Sequence, residues 1–398
     1  MTRAPLSAPE GTRVPLSGRD GTRVPLSVLD LSPISEGSTP AEALRNTIDL
    51  ARHAEQWGYR RYWVAEHHFV GVASSSPAVL IGAIASATES IRVGAAAVQL
   101  GHHTSAAVVE AFGTLDALHP GRIDLGLGRS GQRRAEALAA ARSGPATEPR
   151  RETLVRDGLV IPPPFSVGAL LSSSRLAAGL GVLQQPGAQA PDFTEQVDDI
   201  LALIDGTYRT PDGVDLHAVP GEDARLQTWI FGSSAGPSAE LAGRLGLPFG
   251  ANYHVSPGTT VDAVEAYRAA FRPSAVLAEP YIVVSADAVV AETDGEAQEL
   301  ASTYGHWTYS IRSGEGAVPY PDPANAAPLT DTELGLVEDR LVTQFVGAPG
   351  TVADRLASLQ RVTGADEIVV TSVTHGHRDR LRSYELLAQE WGRGLRAA

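Results

Sequence analysis

Between Tyr62 and Gly128 the chain alternates short apolar runs with helix-period segments. YWVAEHHF, SIRVGAAAVQL and HPGRIDLGLGRSG each open apolar and close on polar residues or glycine. The repeat is strand, helix, strand, helix, strand, with chemistry at each strand's C-terminal end. Parallel α/β barrels build their sites there. A helix precedes this stretch over Thr39–Trp57, where Ala43, Leu44, Thr47, Ile48, Ala51 and Ala54 form an i, i+3, i+4 stripe. Thr39 followed by Pro40 predicts its N-cap, and Gly58 its end.

The pattern predicts strands at VPLSVLDLS, Arg61–Ala65, Arg92–Val98, Ile123–Leu127, Thr228–Phe231, Pro248–Ala251, Glu279–Ser285 and Glu367–Thr371. Helices are expected at Pro77–Glu89, Ser105–Leu118, Phe193–Ile204, 237–245, 258–271, 294–312, 350–362 and 377–391, with a small hairpin around Tyr208–Leu216. Eight strands alternating with helices indicate an α/β fold, a closed (β/α)8 barrel, also called a TIM barrel. A long insertion after the fourth strand, about 129–192, lacks periodicity and reads as an active-site excursion. A Pro-rich lid loop over 314–330 follows the seventh strand. The first 22 residues repeat TR(A/V)PLS every ten residues and read as a flexible leader, leaving residues 23–398 as one domain.

Composition narrows the chemistry. There is no cysteine, so disulfides, thiolate metal sites and cysteine nucleophiles are excluded. All 32 basic residues are arginine, which excludes Schiff-base lysines and Walker-type phosphate loops. A net charge of −14 argues against nucleic acid and anionic membranes as partners. No 18-residue apolar run and no signal h-region occur, so a cytoplasmic location is expected.

Gly232-Ser-Ser-Ala-Gly-Pro-Ser238 follows a strand and opens a helix. Free N–H groups and three hydroxyls there make an anion site, with phosphate the expected ligand; plain helix capping is the alternative. Arg129 ends the fourth strand and could clamp the same phosphate or be salt-bridged at the rim. Glu66-His67-His68 ends the second strand. Adjacent strand residues face opposite ways, so one histidine faces the mouth. A mononuclear zinc hydrolase built on these and His102-His103 is the minor alternative. Gly94-Ala95-Ala96-Ala97 offers a flat wall for a planar ligand, or simply close packing.

Together these segments resemble the luciferase-like flavin monooxygenases. The matching text is YRRYWVAEHHFVGVASSSPAVLIGAIASATESIRVGAAAVQL, FGTLDALHPGRIDLGLGRS, WIFGSSAGPSAELAGRLGLPFG and FVGAPGTVADRLASL…ADEIVVTS. The opening SVLDLSPISEGSTPAEALRNTIDLA resembles the bacterial subgroup that contains natural-product tailoring oxygenases, including those of antibiotic biosynthesis.

The resemblance implies reduced FMN, or F420 in some branches, and a cis peptide at Ala96–Ala97 beneath the ring. It implies phosphate contacts from Arg129, Ser233, Ser234 and Ser238 and from the backbone of Ser130 and Gly131. It places His67 at the flavin's reactive edge as a general base or hydrogen-bonding group. It further implies O2, a separate flavin reductase, oxygenation of a small organic substrate through a C4a-peroxyflavin, and a homodimer through the second and third helices. The branches that use F420 for hydride transfer, and non-catalytic flavin-binding barrels, are the alternatives on the same fold. Two segments depart from many relatives: QLGHH replaces MLPNH, and GRSGQRR replaces GRAPGTD.

Overall fold

A computed structural model describes residues 23–129, 152–166, 173–188 and 191–396. The leader repeats, Ser130, Gly131 and parts of the insertion lie outside the described residues. The elements run β1 (Leu26–Asp30), α1 (Pro40–Gln56), β2 (Arg61–Val64), α2 (Pro77–Ala87), β3 (Arg92–Gln99), α3 (Ser105–Leu118) and β4 (Ile123–Gly128). Next come β5 (Leu154–Arg156), β6 (Leu159–Ile161), α4 (Ser174–Val182), α5 (Phe193–Ile204), β7 (Gln227–Gly232), α6 (Pro237–Leu245), β8 (Phe249–Asn252) and α7 (Thr260–Ala270). The chain finishes with β9 (Ile282–Val290), α8 (Asp294–Leu300), α9 (Tyr304–Arg312), α10 (Asp331–Thr343), β10 (Phe345–Gly347), α11 (Pro349–Thr363), β11 (Glu367–Thr371) and α12 (His377–Arg396).

Eight parallel strands close into a barrel in the order β1-β2-β3-β4-β7-β8-β9-β11, with β11 returning to β1. The period-2 logic of strands sorts the side chains. Val28, Tyr62, Val64 and Val93 point out and pack under the helices, whereas Leu29, Trp63, Trp229, Val283 and Val369 fill the barrel. Trp63 meets Trp229 and Phe231 edge to face at 5.4 Å, a geometry that aromatic rings favour.

Below these rings the barrel floor is ionic. Arg61 is fully buried, with Nη1 2.6 Å from Asp124 Oδ2 and Nε 3.2 Å from Glu367 Oε2. It also donates to Gln227 Oε1 at 2.8 Å and lies over the Trp229 ring. Burial opposes its charge, yet Asp124 and Glu367 push its pKa further up. Each partner lies within the first two residues of a different strand, so one guanidinium joins β2, β4, β7 and β11.

Several boundaries differ from the sequence reading. The single helix expected over 294–312 is two, α8 and α9, and the break turns Trp307 onto Tyr320 of the loop 314–330. β9 runs from Ile282 to Val290 rather than 279 to 285, because it overshoots the rim and its last residues pair with β10. α10 and β10 are additional to the expected elements, and Thr330 and Glu333 form a capping box that marks the start of α10. The insertion also contains regular structure: β5 and β6 form a hairpin whose turn residues, Asp157 and Gly158, both have positive φ. The loop 314–330 is stitched down. Tyr320 N–H donates to Ile34 O at 2.7 Å and Gly71 N–H donates to Ala317 O at 2.5 Å. A Cβ on Gly71 would lie 2.4 Å from the Val318 carbonyl carbon, so glycine is what permits this approach.

Candidate functional site

The C-terminal ends of the strands surround a cavity of about 270 Å³. His67, Ala96, Ala97, Arg129, Ser233, Ser234 and Ser238 all line it. Residues scattered over 172 positions of sequence therefore share one mouth, as parallel strands require.

The anion end is built by β7 and α6. Gly236 is the N-cap and has no side chain to cap with, and Pro237 occupies the first turn. The N–H groups of Ser238 and Ala239 thus have no helical acceptor. Among the described residues the hydroxyls of Ser233, Ser234 and Ser238 find no hydrogen-bond partner, so the capping alternative is not what the structure holds. Gly232 keeps the turn tight: a Cβ there would lie 3.0 Å from Ser238 Cβ.

The flat wall comes from β3. Gly94 and Ala95 are buried packing residues. A Cβ on Gly94 would sit 2.6 Å from Asp124, and one on Gly126 would sit 2.0 Å from Ala95 O. Close packing thus accounts for the first half of the small-residue run. Ala96 and Ala97 are half-buried and turn toward the cavity, the peptide between them is cis, and the β3–β4 register shifts between Ala95 and Val98.

His67 is the histidine of the Glu66-His67-His68 run whose ring lines the cavity. Burial, aided by the neighbouring His68, holds its pKa below the ordinary 6.5, so the ring is a neutral donor and acceptor at pH 7. His68 turns aside and donates through Nε2 to Glu66 Oε1 at 2.9 Å. His103 donates to the same oxygen at 2.9 Å. Among the described residues no group of three His, Asp or Glu side chains is arranged so that it could hold a metal ion.

Three further polar residues, Asn252, His254 and Ser285, line the cavity. Asn252 ends β8, and among the described residues its buried Oδ1 has no hydrogen-bond partner. His254 Nδ1 lies 2.6 Å from Ser285 Oγ. Its pKa is pushed down to about 3, by burial first and then by Arg340 and His67. Asn252 closes β8, His254 follows it by two residues, and Ser285 of β9 pairs in register with Asn252. The short β8 gave too little periodicity to direct attention there.

A sequence model of luciferase-like monooxygenases matches residues 24–154 and 180–367. The chain belongs to the luciferase-like monooxygenase family. A luciferase-like monooxygenase of Escherichia coli K12 is 34% identical over 364 residues, covering 90% of this chain and 94% of its own length. The Bacillus subtilis protein YvbT is 39% identical over 369 residues, covering 92% and 96%. The crystal structure of apo-MsnO8 is 31% identical, superposes with a TM-score of 0.72, and covers 93% of this chain and 99% of that one.

More distant structures share the barrel only. They include the oxygenating constituent of 3,6-diketocamphane monooxygenase from Pseudomonas putida in complex with FMN, at 18% identity and a TM-score of 0.59, covering 94% of this chain and 99% of that one. An F420-dependent secondary alcohol dehydrogenase has 13% identity and a TM-score of 0.57, covering 93% and 99%. No helix among the described residues of this family member is long and apolar enough to cross a membrane.

Proposed function

We propose that this luciferase-like monooxygenase binds reduced FMN delivered by a separate reductase and uses O2 to oxygenate a small organic substrate. Hydroxylation, epoxidation and insertion of oxygen, on secondary metabolites among other substrates, are all within its chemistry. The observation that carries the reading is one cavity with three matched parts. These are a hydroxyl-lined helix start, a small-residue wall and a neutral imidazole.

These residues fit a phosphorylated planar cofactor. Ser233, Ser234 and Ser238 offer unpaired hydroxyls to a phosphate, and Arg129 lines the same cavity with charge of the opposite sign. Ala96 and Ala97 present little more than backbone, against which a flat ring lies without obstruction. When bound, reduced FMN supplies two electrons to O2, so that one oxygen atom enters the substrate and the other leaves as water. The protein binds the phosphate, orients the ring and excludes water with the stitched loop 314–330. His67 holds or accepts a proton at its cavity-facing nitrogen.

The reading includes a homodimer through α2 and α3. Val79 and Leu118 are 75% and 69% exposed, and the outward side of α2 otherwise shows Ala83 and Ser86 without charge. No described feature marks a nicotinamide site, which is why the reductase is placed on another protein.

The test is to load the protein with FMNH2 without oxygen, mix it with aerated buffer and follow flavin reoxidation. Reoxidation at least tenfold slower than that of free FMNH2 is expected. Equal rates would sink the proposal. Tight F420 binding without oxygen uptake would favour hydride transfer instead.

A further inference from the structure

Glu66 is the only carboxylate among the described residues that line the cavity, and it is buried. Its Oε2 accepts the Gln99 N–H at 2.8 Å, and its main-chain O accepts Gln99 Nε2 at 2.5 Å. Its Oε1 accepts from His68 and His103. The place of these bonds in the sheet gives them meaning. The β2–β3 ladder runs from Arg61↔Arg92 to Val64↔Ala95 and stops there. On the other flank the β3–β4 register slips between Ala95 and Val98. Ala96 and Ala97 therefore lie in a stretch that has lost its ladder partner on the β2 side and its register on the β4 side. A bulged strand of this kind is locally loosened.

Gln99 is the last residue of β3, just past the bulge. Its N–H would ordinarily find a β2 carbonyl and finds a carboxylate instead. A charge-assisted bond is stronger than the ladder bond it replaces. We propose that Glu66 is a positioning residue, whose carboxylate substitutes for the missing β2–β3 ladder, fixes Ala96 and Ala97 against the cavity, and seats His68 and His103 side by side at the rim.

The surroundings agree. Burial alone would raise the Glu66 pKa, yet bonds from His103, the Gln99 N–H and His68 hold it below the ordinary carboxylate range. The bond to Glu66 holds His103 above its ordinary value against the opposing effect of burial. His67 is adjacent in the chain, and His102 packs edge-on against His68 at 5.9 Å. These four imidazoles are the titratable groups that face the acid.

Three measurements on the full chain test the proposal with Glu66→Ala and Glu66→Gln. Hydrogen exchange at the Gln99 amide is independent of any ligand. It is expected to speed up at least tenfold in Glu66→Ala and to stay near wild type in Glu66→Gln, whose amide oxygen still accepts. An NMR titration of the His103 ring is expected to show a pKa above the ordinary value in wild type and a return to it in Glu66→Gln. FMN affinity, read by fluorescence quenching, is expected to weaken at least tenfold in Glu66→Ala and less than threefold in Glu66→Gln.

The affinity arm rests on the flavin reading. A wild-type protein that binds no FMN overturns that reading, while Gln99 exchange still decides the positioning role. A folded Glu66→Ala protein with wild-type Gln99 exchange overturns the proposal. So does a His103 titration unchanged in Glu66→Gln, a result that remains available if Glu66→Ala does not fold.

Discussion

The Nδ1 atom of His254 lies 2.6 Å from Ser285 Oγ, across the seam where β8 meets β9. The contact fixes the Nδ1 edge of an imidazole that lines the cavity. Burial keeps the ring neutral, with a pKa near 3 against an ordinary 6.5. As pH falls through 6.5 the unfolded chain takes a proton that the folded chain refuses until about pH 3. Stability is then lost on acidification at up to about 1.4 kcal/mol per pH unit from this group. Between pH 7.5 and 5.5, wild type should lose about 1 kcal/mol more than His254→Asn. Urea unfolding at the two pH values measures it, and equal losses would contradict the neutral buried ring.

Ser238 offers its hydroxyl and its backbone N–H at the start of α6. A hydrogen bond to a charged group contributes about 1.5–3 kcal/mol. Ser238→Ala should therefore weaken FMN binding about tenfold or more. Riboflavin, which lacks the phosphate, should bind both proteins alike. Parallel titrations by fluorescence quenching check this, and equal weakening of both ligands would move Ser238 away from the phosphate.

His67 lines the cavity without a side-chain hydrogen bond among the described residues. Loss of a positioned acid or base lowers rates by roughly 10²–10⁴-fold. His67→Ala is expected to bind FMN as wild type does and to divert oxygen to hydrogen peroxide. The hydrogen peroxide formed per flavin oxidised is the readout. An unchanged yield would remove His67 from the chemistry.

Arg61 holds the charges of the barrel floor. Removing one partner of a buried ionic network costs about 3–5 kcal/mol, because the remaining charges stay buried. Arg61→Ala should lower unfolding stability by that amount, since Asp124 and Glu367 lose their central cation. Chemical denaturation gives the value, and a loss below about 1 kcal/mol would show that the floor relaxes around the gap.

Val79 and Leu118 expose large apolar surface on neighbouring helices. A Val79→Glu, Leu118→Arg double variant should run as a monomer where wild type runs as a dimer. Light scattering after size exclusion reads the mass. A wild-type mass equal to one chain would end the dimer reading.

Much of this was legible because it is local. The helices over 105–118, 193–204 and 237–245 have the expected bounds, since their apolar stripes and first-turn signals are contained in the segment. The eight barrel strands were recognised for the same reason. The end of β9 was not, because its last residues are strand only through pairing with Phe345–Gly347. His67 was legible as a polar residue closing an apolar run. The role of Glu66 in the same run is not legible, because nothing in consecutive residues shows that its carboxylate reaches Gln99 and His103.

The sequence by itself determined the order of the eight barrel strands, the barrel class, the hydroxyl-rich start of α6 and the family resemblance. These depend on period, turn chemistry and motif, which are written in consecutive residues. Only the tertiary structure decided that Asn252, His254 and Ser285 share a cavity with His67, and that one carboxylate spans the break in the β2–β3 ladder. Those relations join residues from different strands, and barrel closure and register set their distances. Neither is a property of any short stretch of chain.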